Sequence, residues 1–170
     1  MTQLCRTYHS ECVAAINPNS DCSEINMVGN CVSGVFNTPY EADIDGVFST
    51  AAQLASLNEI MNYKFKKNGV EQITIGIGLD YERALMIKAG CSGSGINDIV
   101  WMGDVVKGAS NLCHHGNASW NDKEVMVSDA IYSNLNENNG KLLTKNWQRN
   151  CYHGNVINLA MNDWYTENCI

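Results

Sequence analysis

The segment Ile73-Thr-Ile-Gly-Ile-Gly-Leu79 places a large aliphatic side chain at every second position. A period of two is that of a β-strand, because successive Cβ atoms point to opposite faces. Such a strand has one apolar face and needs a sheet beside it and a layer to cover it. The Asp80-Tyr-Glu-Arg83 turn and a return over Ala84 to Ile87 predict a hairpin. Downstream, Trp101-Met-Gly-Asp104 leads into a helix that Asp104 can cap. Its apolar face is Val105, Val106, Ala109, Leu112 and Cys113, and Gly116 ends it. Asp104, Lys107 and Asn111 share the opposite face.

The other elements follow from the same two periods. Leu4, Tyr8, Cys12 and Ile16 recur every fourth residue, predicting a helix from Met1 to Ile16 that stops before Asn17-Pro18-Asn19. Ser23 to Phe36 reads as two strands joined at Gly29-Asn30, since glycine reaches positive φ without a Cβ clash. Leu54, Leu57, Met61 and Phe65 define a helix over Val47 to Lys67, with lysines in its last turn and Gly69 beyond. Gly90 to Gly95 is a loop that lacks the lysine and the strand-to-helix setting of a P-loop. Glu124 to Val127 is a strand, Ser128 caps a short helix, and Leu142 to Asn158 forms a hairpin split near Asn150. The order is helix, hairpin, helix, hairpin, helix, strand, helix, hairpin, which predicts an α+β chain with helices packed on one face of one antiparallel sheet.

Composition sets limits on function. The 170 residues suit a single domain over 1–170, and no apolar run approaches the roughly 18 residues of a membrane span. A soluble cytoplasmic protein with no membrane partner is expected. Net charge is -7 and the few Lys and Arg are dispersed, which disfavours nucleic acid as a partner. The eight cysteines contain no C-x-x-C pair, and the adjacent His114 and His115 beside Cys113 cannot share one metal from a regular element. They are expected to be reduced thiols that pack as small hydrophobes.

Three blocks then resemble the class III nucleotidyl cyclase domain: Glu24-Ile-Asn-Met-Val-Gly-Asn-Cys-Val-Ser-Gly-Val-Phe36, Ile75-Gly-Ile-Gly-Leu-Asp-Tyr81 and Met102-Gly-Asp-Val-Val106. Ala84-Leu-Met-Ile-Lys-Ala-Gly-Cys-Ser-Gly-Ser-Gly-Ile-Asn-Asp98 and Cys151-Tyr-His-Gly-Asn-Val-Ile157 are more narrowly similar to the Pycsar antiphage cyclases, which make cyclic UMP or cyclic CMP. The resemblance implies a ferredoxin-like antiparallel sheet and a head-to-tail homodimer with shared active sites. It also implies UTP or CTP as substrate, Mg²⁺ or Mn²⁺ as cofactor, and a separate effector protein that reads the product. By position in the motifs, Asn26 and Val100 would meet the base, Lys107 and Asn111 would steady the transition state, and Asn30 would stand at a metal position.

This chain departs from the family pattern at several of those places. Asn30 replaces an aspartate, Lys107 and Asn111 stand where many members have Asn and Arg, and Glu82 replaces a frequent glycine. The first-strand aspartate has no counterpart, so the chain is expected to be N-terminally truncated and its activity impaired. Cyclisation joins the ribose 3′-oxygen to the α-phosphorus with loss of pyrophosphate, and two metals ordinarily clamp the attacking and leaving oxygens. A neutral amide holds a hard cation poorly. A pseudocyclase that binds nucleotide or pairs with an intact cyclase is therefore the alternative, and an unrelated interaction module is the third reading. The plain reading of each residue also stands: Gly29-Asn30 as an ordinary turn, the Asp104 row as a solvated helix face, Asp80 and Glu82 as solvent-facing turn carboxylates.

Overall fold

A computed structural model describes the backbone of residues 2–90 and 97–169, and side chains over 4–87 and 101–169. The glycine-rich loop expected over Gly90 to Gly95 lies, from residue 91 on, outside the described residues.

Helix α1 (Thr2–Ile16) buries Cys12 and Ile16 on the expected stripe. It leads into the hairpin β1 (Cys22–Val28) and β2 (Cys31–Phe36), joined at Gly29-Asn30 as the sequence predicts. Gly29 takes φ +62. A positive φ at the first central position alone is the type II′ pattern, whose twist suits flanking strands.

Helix α2 (Glu41–Lys67) begins a turn and a half before the Val47 start suggested by hydrophobic spacing. The reason is local: the Tyr40 backbone N–H donates to the Asp43 carboxylate at 2.9 Å, and Glu41 and Asp43 favour the positive end of the helix dipole. Ile44, Phe48, Ala51, Ala52 and Ala55 form its buried stripe. The C-terminus is closed as expected, with Asn68 as cap and Gly69 at φ +68.

The Ile73 strand is shorter and differently paired than its pattern implies. Only β3 (Ile77–Leu79) is in a ladder, and it pairs in parallel with β6 (Val125–Val127) instead of turning back on Ala84 to Ile87. That return segment, β4 (Leu85–Gly90), pairs with β5 (Asn97–Met102). Alternation marks which residues are extended but carries no information about which edge they join. Helix α3 (Asp104–His115) packs closely on β3, and Gly103, at φ +144, is its N-cap. Asp104 is thus a first-turn acid and not the cap.

After β6, Ser128 caps α4 (Asp129–Asn134) by accepting the Ile131 N–H at 3.3 Å, as expected. A short helix α5 (Glu137–Gly140) follows, then β7 (Thr144–Asn146) and β8 (Cys151–Gly154), turning where Asn150 adopts φ +52. Helix α6 (Leu159–Cys169) ends the fold. Neither α5 nor α6 carries a clear apolar period, so neither was legible.

The α+β class holds, but the expected single antiparallel sheet does not. Among the described residues there is a four-stranded mixed sheet in the order β3-β6-β8-β7, and β1-β2 and β4-β5 stand as separate two-stranded ribbons. The parallel β3-β6 pair arises because α3 lies between them in sequence and crosses over one face. The core gathers α2, β3 and β6: Ile44, Phe48, Ala51, Leu79, Val125 and Val127 are all buried within it.

Candidate active site

The β1-β2 hairpin carries the first pair of candidate residues. Asn26 lies opposite Ser33 and is half-buried, while Asn30 is the exposed second residue of the turn. Both line the same cleft, which opens between the hairpin and β3. The hairpin is braced by Trp101, whose indole Nε1–H donates to the Glu24 carboxylate at 2.6 Å. That bond ties β1 to β5 and shows Trp101 as a half-buried brace.

The second pair lies on α3. Lys107 and Asn111 are exposed and one turn apart, on the row with Asp104 that the sequence predicts. Neither lines the cleft that Asn26 and Asn30 line. Within one copy of the chain the structure therefore makes two groups of candidates and does not bring them together. Val100 stands on β5 opposite Ile87. Its side chain lies outside the described residues.

Three features were missed. Asp80, expected to face solvent, is half-buried at the end of β3, with its carboxylate set against Gly108 of α3 and accepting the Tyr81 N–H at 2.8 Å. Only a glycine at 108 leaves it that space, a relation no local pattern announces. Next, Cys31 at the hairpin tip and Cys113 on α3 share a hydrogen bond, which lowers the Cys31 thiol and raises that of Cys113, with burial adding to the latter. The Gly76 carbonyl, 3.2 Å from Cys113 Sγ, is the alternative acceptor for its single S–H. Tyr8 is pushed up, first by burial and then by Cys12 beside it.

The third feature is a polar network under the β7-β8 turn. Asp122, whose side chain is only 1% exposed, takes a guanidinium N–H of Arg149 at 3.0 Å and the amide of Asn146 at 3.0 Å. Hydrogen bonding from Arg149 holds the Asp122 carboxyl down at about 2. His153 accepts the Lys123 N–H at Nδ1, 3.2 Å away, and burial lowers its pKa, so its ring is neutral with the proton on Nε2. These partners are far apart in sequence, so nothing local could reveal them.

The donor set does not by itself fit a divalent-metal centre. Among the described residues no three His, Cys, Asp or Glu gather to hold a metal, and the turn offers only the neutral carbonyl of Asn30. Among the described residues the cysteines form no disulfide, but only Cys12 and Cys151 are buried; Cys5 and Cys31 are exposed and Cys22, Cys113 and Cys169 half-buried, so the expected packing as small hydrophobes holds for two of them.

No protein-family model matches the chain. Against individual proteins the outcome differs. The chain is 37% identical over 189 residues to the uridylate cyclase of Gulbenkiania mobilis, covering 99% of this chain and 72% of that protein. It belongs to the uridylate cyclase family. The uridylate cyclase of Treponema porcinum is 33% identical over 171 residues, and there the alignment covers 98% of this chain but 59% of the relative. The chain thus spans about three fifths of that second family member. Conversely, the two alignments cover 98% and 99% of this chain.

Proposed function

We propose that this chain is a pyrimidine nucleotidyl cyclase that converts UTP, or CTP, to the 3′,5′-cyclic nucleotide and pyrophosphate. The observation that carries this reading is the 37% identity, over 99% of the chain, to a protein named uridylate cyclase. UTP is the first candidate for that reason. The proposal includes a ferredoxin-like cyclase fold, in which the β1-β2 hairpin and β3, separate in the structure described above, would belong to one sheet.

In this reading the two candidate pairs act across a homodimer. Asn26 offers both a donor and an acceptor, so it can read a pyrimidine edge, with Val100 providing an apolar wall. Lys107 and Asn111, exposed on α3, reach the triphosphate of the site on the partner copy. There Lys107 neutralises charge building on the phosphate oxygens, and Asn111 donates a fixed hydrogen bond. Holding the 3′-oxygen in line with the α-phosphorus supplies much of the remaining acceleration. Mg²⁺ or Mn²⁺ belongs to the proposal as the ion that travels with the triphosphate, and no step is assigned to a metal held by this chain's residues. Antiphage signalling of the Pycsar type, with the cyclic nucleotide read by a separate effector, is the physiological setting proposed for it.

The test is incubation of the purified protein with each of the four NTPs and Mn²⁺, with chromatographic separation of products. A cyclic pyrimidine nucleotide is expected. No product from any NTP, together with measurable UTP or CTP binding, would overturn catalysis and favour the second reading, a nucleotide-binding pseudocyclase. The neutral Asn30 at the turn is the observation that favours that alternative.

A further inference from the structure

The cleft between the hairpin and β3, about 1400 Å³, is walled largely by aliphatic side chains such as Ile16, Ile44 and Ile77. Four thiols also line it: Cys5 and Cys12 from α1, Cys31 from β2 and Cys113 from α3. A cysteine in an apolar wall is by itself only a small hydrophobe. Pairing sets two of them apart. Cys12 is 3% exposed and shares a hydrogen bond with Tyr8 of its own helix. Cys31 and Cys113 share one with each other, between two elements distant in the sequence.

The two members of that pair differ in access. Cys31 is exposed at the start of β2, directly after the Gly29-Asn30 turn, whereas Cys113 is half-buried against the Gly76 carbonyl. One thiol open to solvent with a second in contact behind it supplies what thiol–disulfide exchange needs, an attacking sulfur and a resolving one.

The hairpin has room to follow a bond made at its tip. Sulfurs in hydrogen-bond contact must close to about 2.05 Å to become a disulfide, which takes a small shift of one element toward the other. Among the described residues the β1-β2 ribbon pairs with no further strand. A lone two-stranded ribbon is marginally stable, so its place depends on side-chain contacts such as the Trp101 bond to Glu24. At the turn itself, the space where a Cβ of residue 29 would stand has nothing within 4 Å.

We propose that Cys31 and Cys113 are a reversible dithiol switch, whose disulfide clasps the hairpin tip to α3 across the cleft. The oxidant is a low-molecular-weight disulfide. Cys31 loses its proton and its Sγ attacks one sulfur of that disulfide, whose S–S bond breaks to expel a thiolate. Cys113 then loses its proton, its Sγ attacks the Cys31 sulfur, and a second thiolate leaves. The two thiolates take up the two protons. Two cysteine thiols are thus oxidised to one disulfide while the small disulfide is reduced to two thiols, and an excess of small thiol runs the exchange backward. The clasp fixes Asn30, the neighbour of Cys31, relative to the helix that carries Lys107 and Asn111. The chemistry is independent of whether the protein turns over nucleotide, so it is read without any activity assay.

In the experiment the purified chain is reduced, freed of reductant and incubated with oxidised glutathione, after which free thiols are alkylated and peptides are mapped by mass spectrometry. A link between the Cys31 and Cys113 peptides of one chain is expected, and dithiothreitol should remove it. Cys113→Ser should stop at a mixed disulfide of Cys31 with glutathione, whereas Cys31→Ser should leave Cys113 about tenfold or more slower to react than Cys31 is in the parent. Val28 and Cys31 close the hairpin ladder. Hydrogen exchange at their amides should slow about tenfold in the oxidised parent and stay unchanged in Cys113→Ser treated the same way. Free thiols at both positions after oxidation, links that join either one to a different cysteine or to another chain, or unchanged exchange in the linked protein would each overturn the proposal. If a serine variant fails to fold, the peptide map and the exchange of the parent decide it alone.

Discussion

Asp122 shows how one residue sets a pH response. Its carboxyl is held at about 2 against an ordinary 3.8, first by the hydrogen bond from Arg149 and then by Ser119 and Asn146. A depressed folded pKa stabilises the protein above the unfolded value, and the gain disappears as pH falls from about 4 toward 2. Asp122→Asn should therefore cost about 2 kcal/mol at pH 7 and only about a few tenths of a kcal/mol near pH 2, where the folded carboxyl is half protonated, as urea denaturation at both pH values would show. Glu124 behaves in the opposite way. Burial raises it to about 7 from 4.5, so the folded state holds a proton that the unfolded chain has already released, and stability falls as pH rises between those values. Glu124→Gln keeps an acceptor for the Asn58 amide, 3.2 Å away in the parent. It should be more stable than the parent by about 1–2 kcal/mol above pH 7 and equal to it near pH 4, in thermal scans across that range. At the hairpin tip, Asn30→Asp should raise cyclase turnover by about tenfold or more, each decade being about 1.4 kcal/mol, if position 30 faces a divalent cation. An unchanged rate in Mn²⁺ would remove Asn30 from the site.

Among the elements, β3 and α3 are the pair whose contact is least forgiving. A Cβ at Gly78 would meet the Ala109 carbonyl and the Cys113 amide of α3, backbone atoms that cannot rotate away. Gly78→Ala should consequently destabilise by about 2–3 kcal/mol or more, measured by chemical denaturation, because the helix must lift off the strand. The glycines in Ile-Gly-Ile-Gly mark this approach, but the sequence alone reads them only as the small positions of an alternating strand. The Gly29-Asn30 turn and the Ser128 cap were legible because their chemistry is contained within a few residues. The partners of β3 and β4 were not, because strand pairing is decided by packing over long sequence separation, and a run of alternating residues is compatible with either edge. The same limit hid α6, whose residues lack an apolar stripe and which rests on α2 through contacts such as the edge-to-face pair of Tyr63 and Tyr165, 5.8 Å between centroids.

At the scale of the whole molecule, the candidate residues divide between the hairpin and the outer face of α3. If two copies complete each site, specific activity should rise with protein concentration until the dimer is saturated, and Lys107→Ala mixed with Asn26→Ala should recover activity that each variant lacks alone. Assaying the variants separately and together, beside sedimentation of the parent, checks this. No described helix is long and apolar enough to cross a membrane, which agrees with the absence of long apolar runs. The sequence by itself determined the helices α1 to α4 in outline, the β1-β2 hairpin, where the tight turn and the short-range cap fall, and, through its motifs, the family. Each of those depends on residues near one another along the chain. Only the tertiary structure decided that β3 joins β6 in parallel, that Asp80 fits against Gly108, that Asp122 and Arg149 meet, and that an apolar cleft separates β2 from β3. Those outcomes depend on which distant surfaces exclude water together, and burial of that kind is a property of the assembled layers.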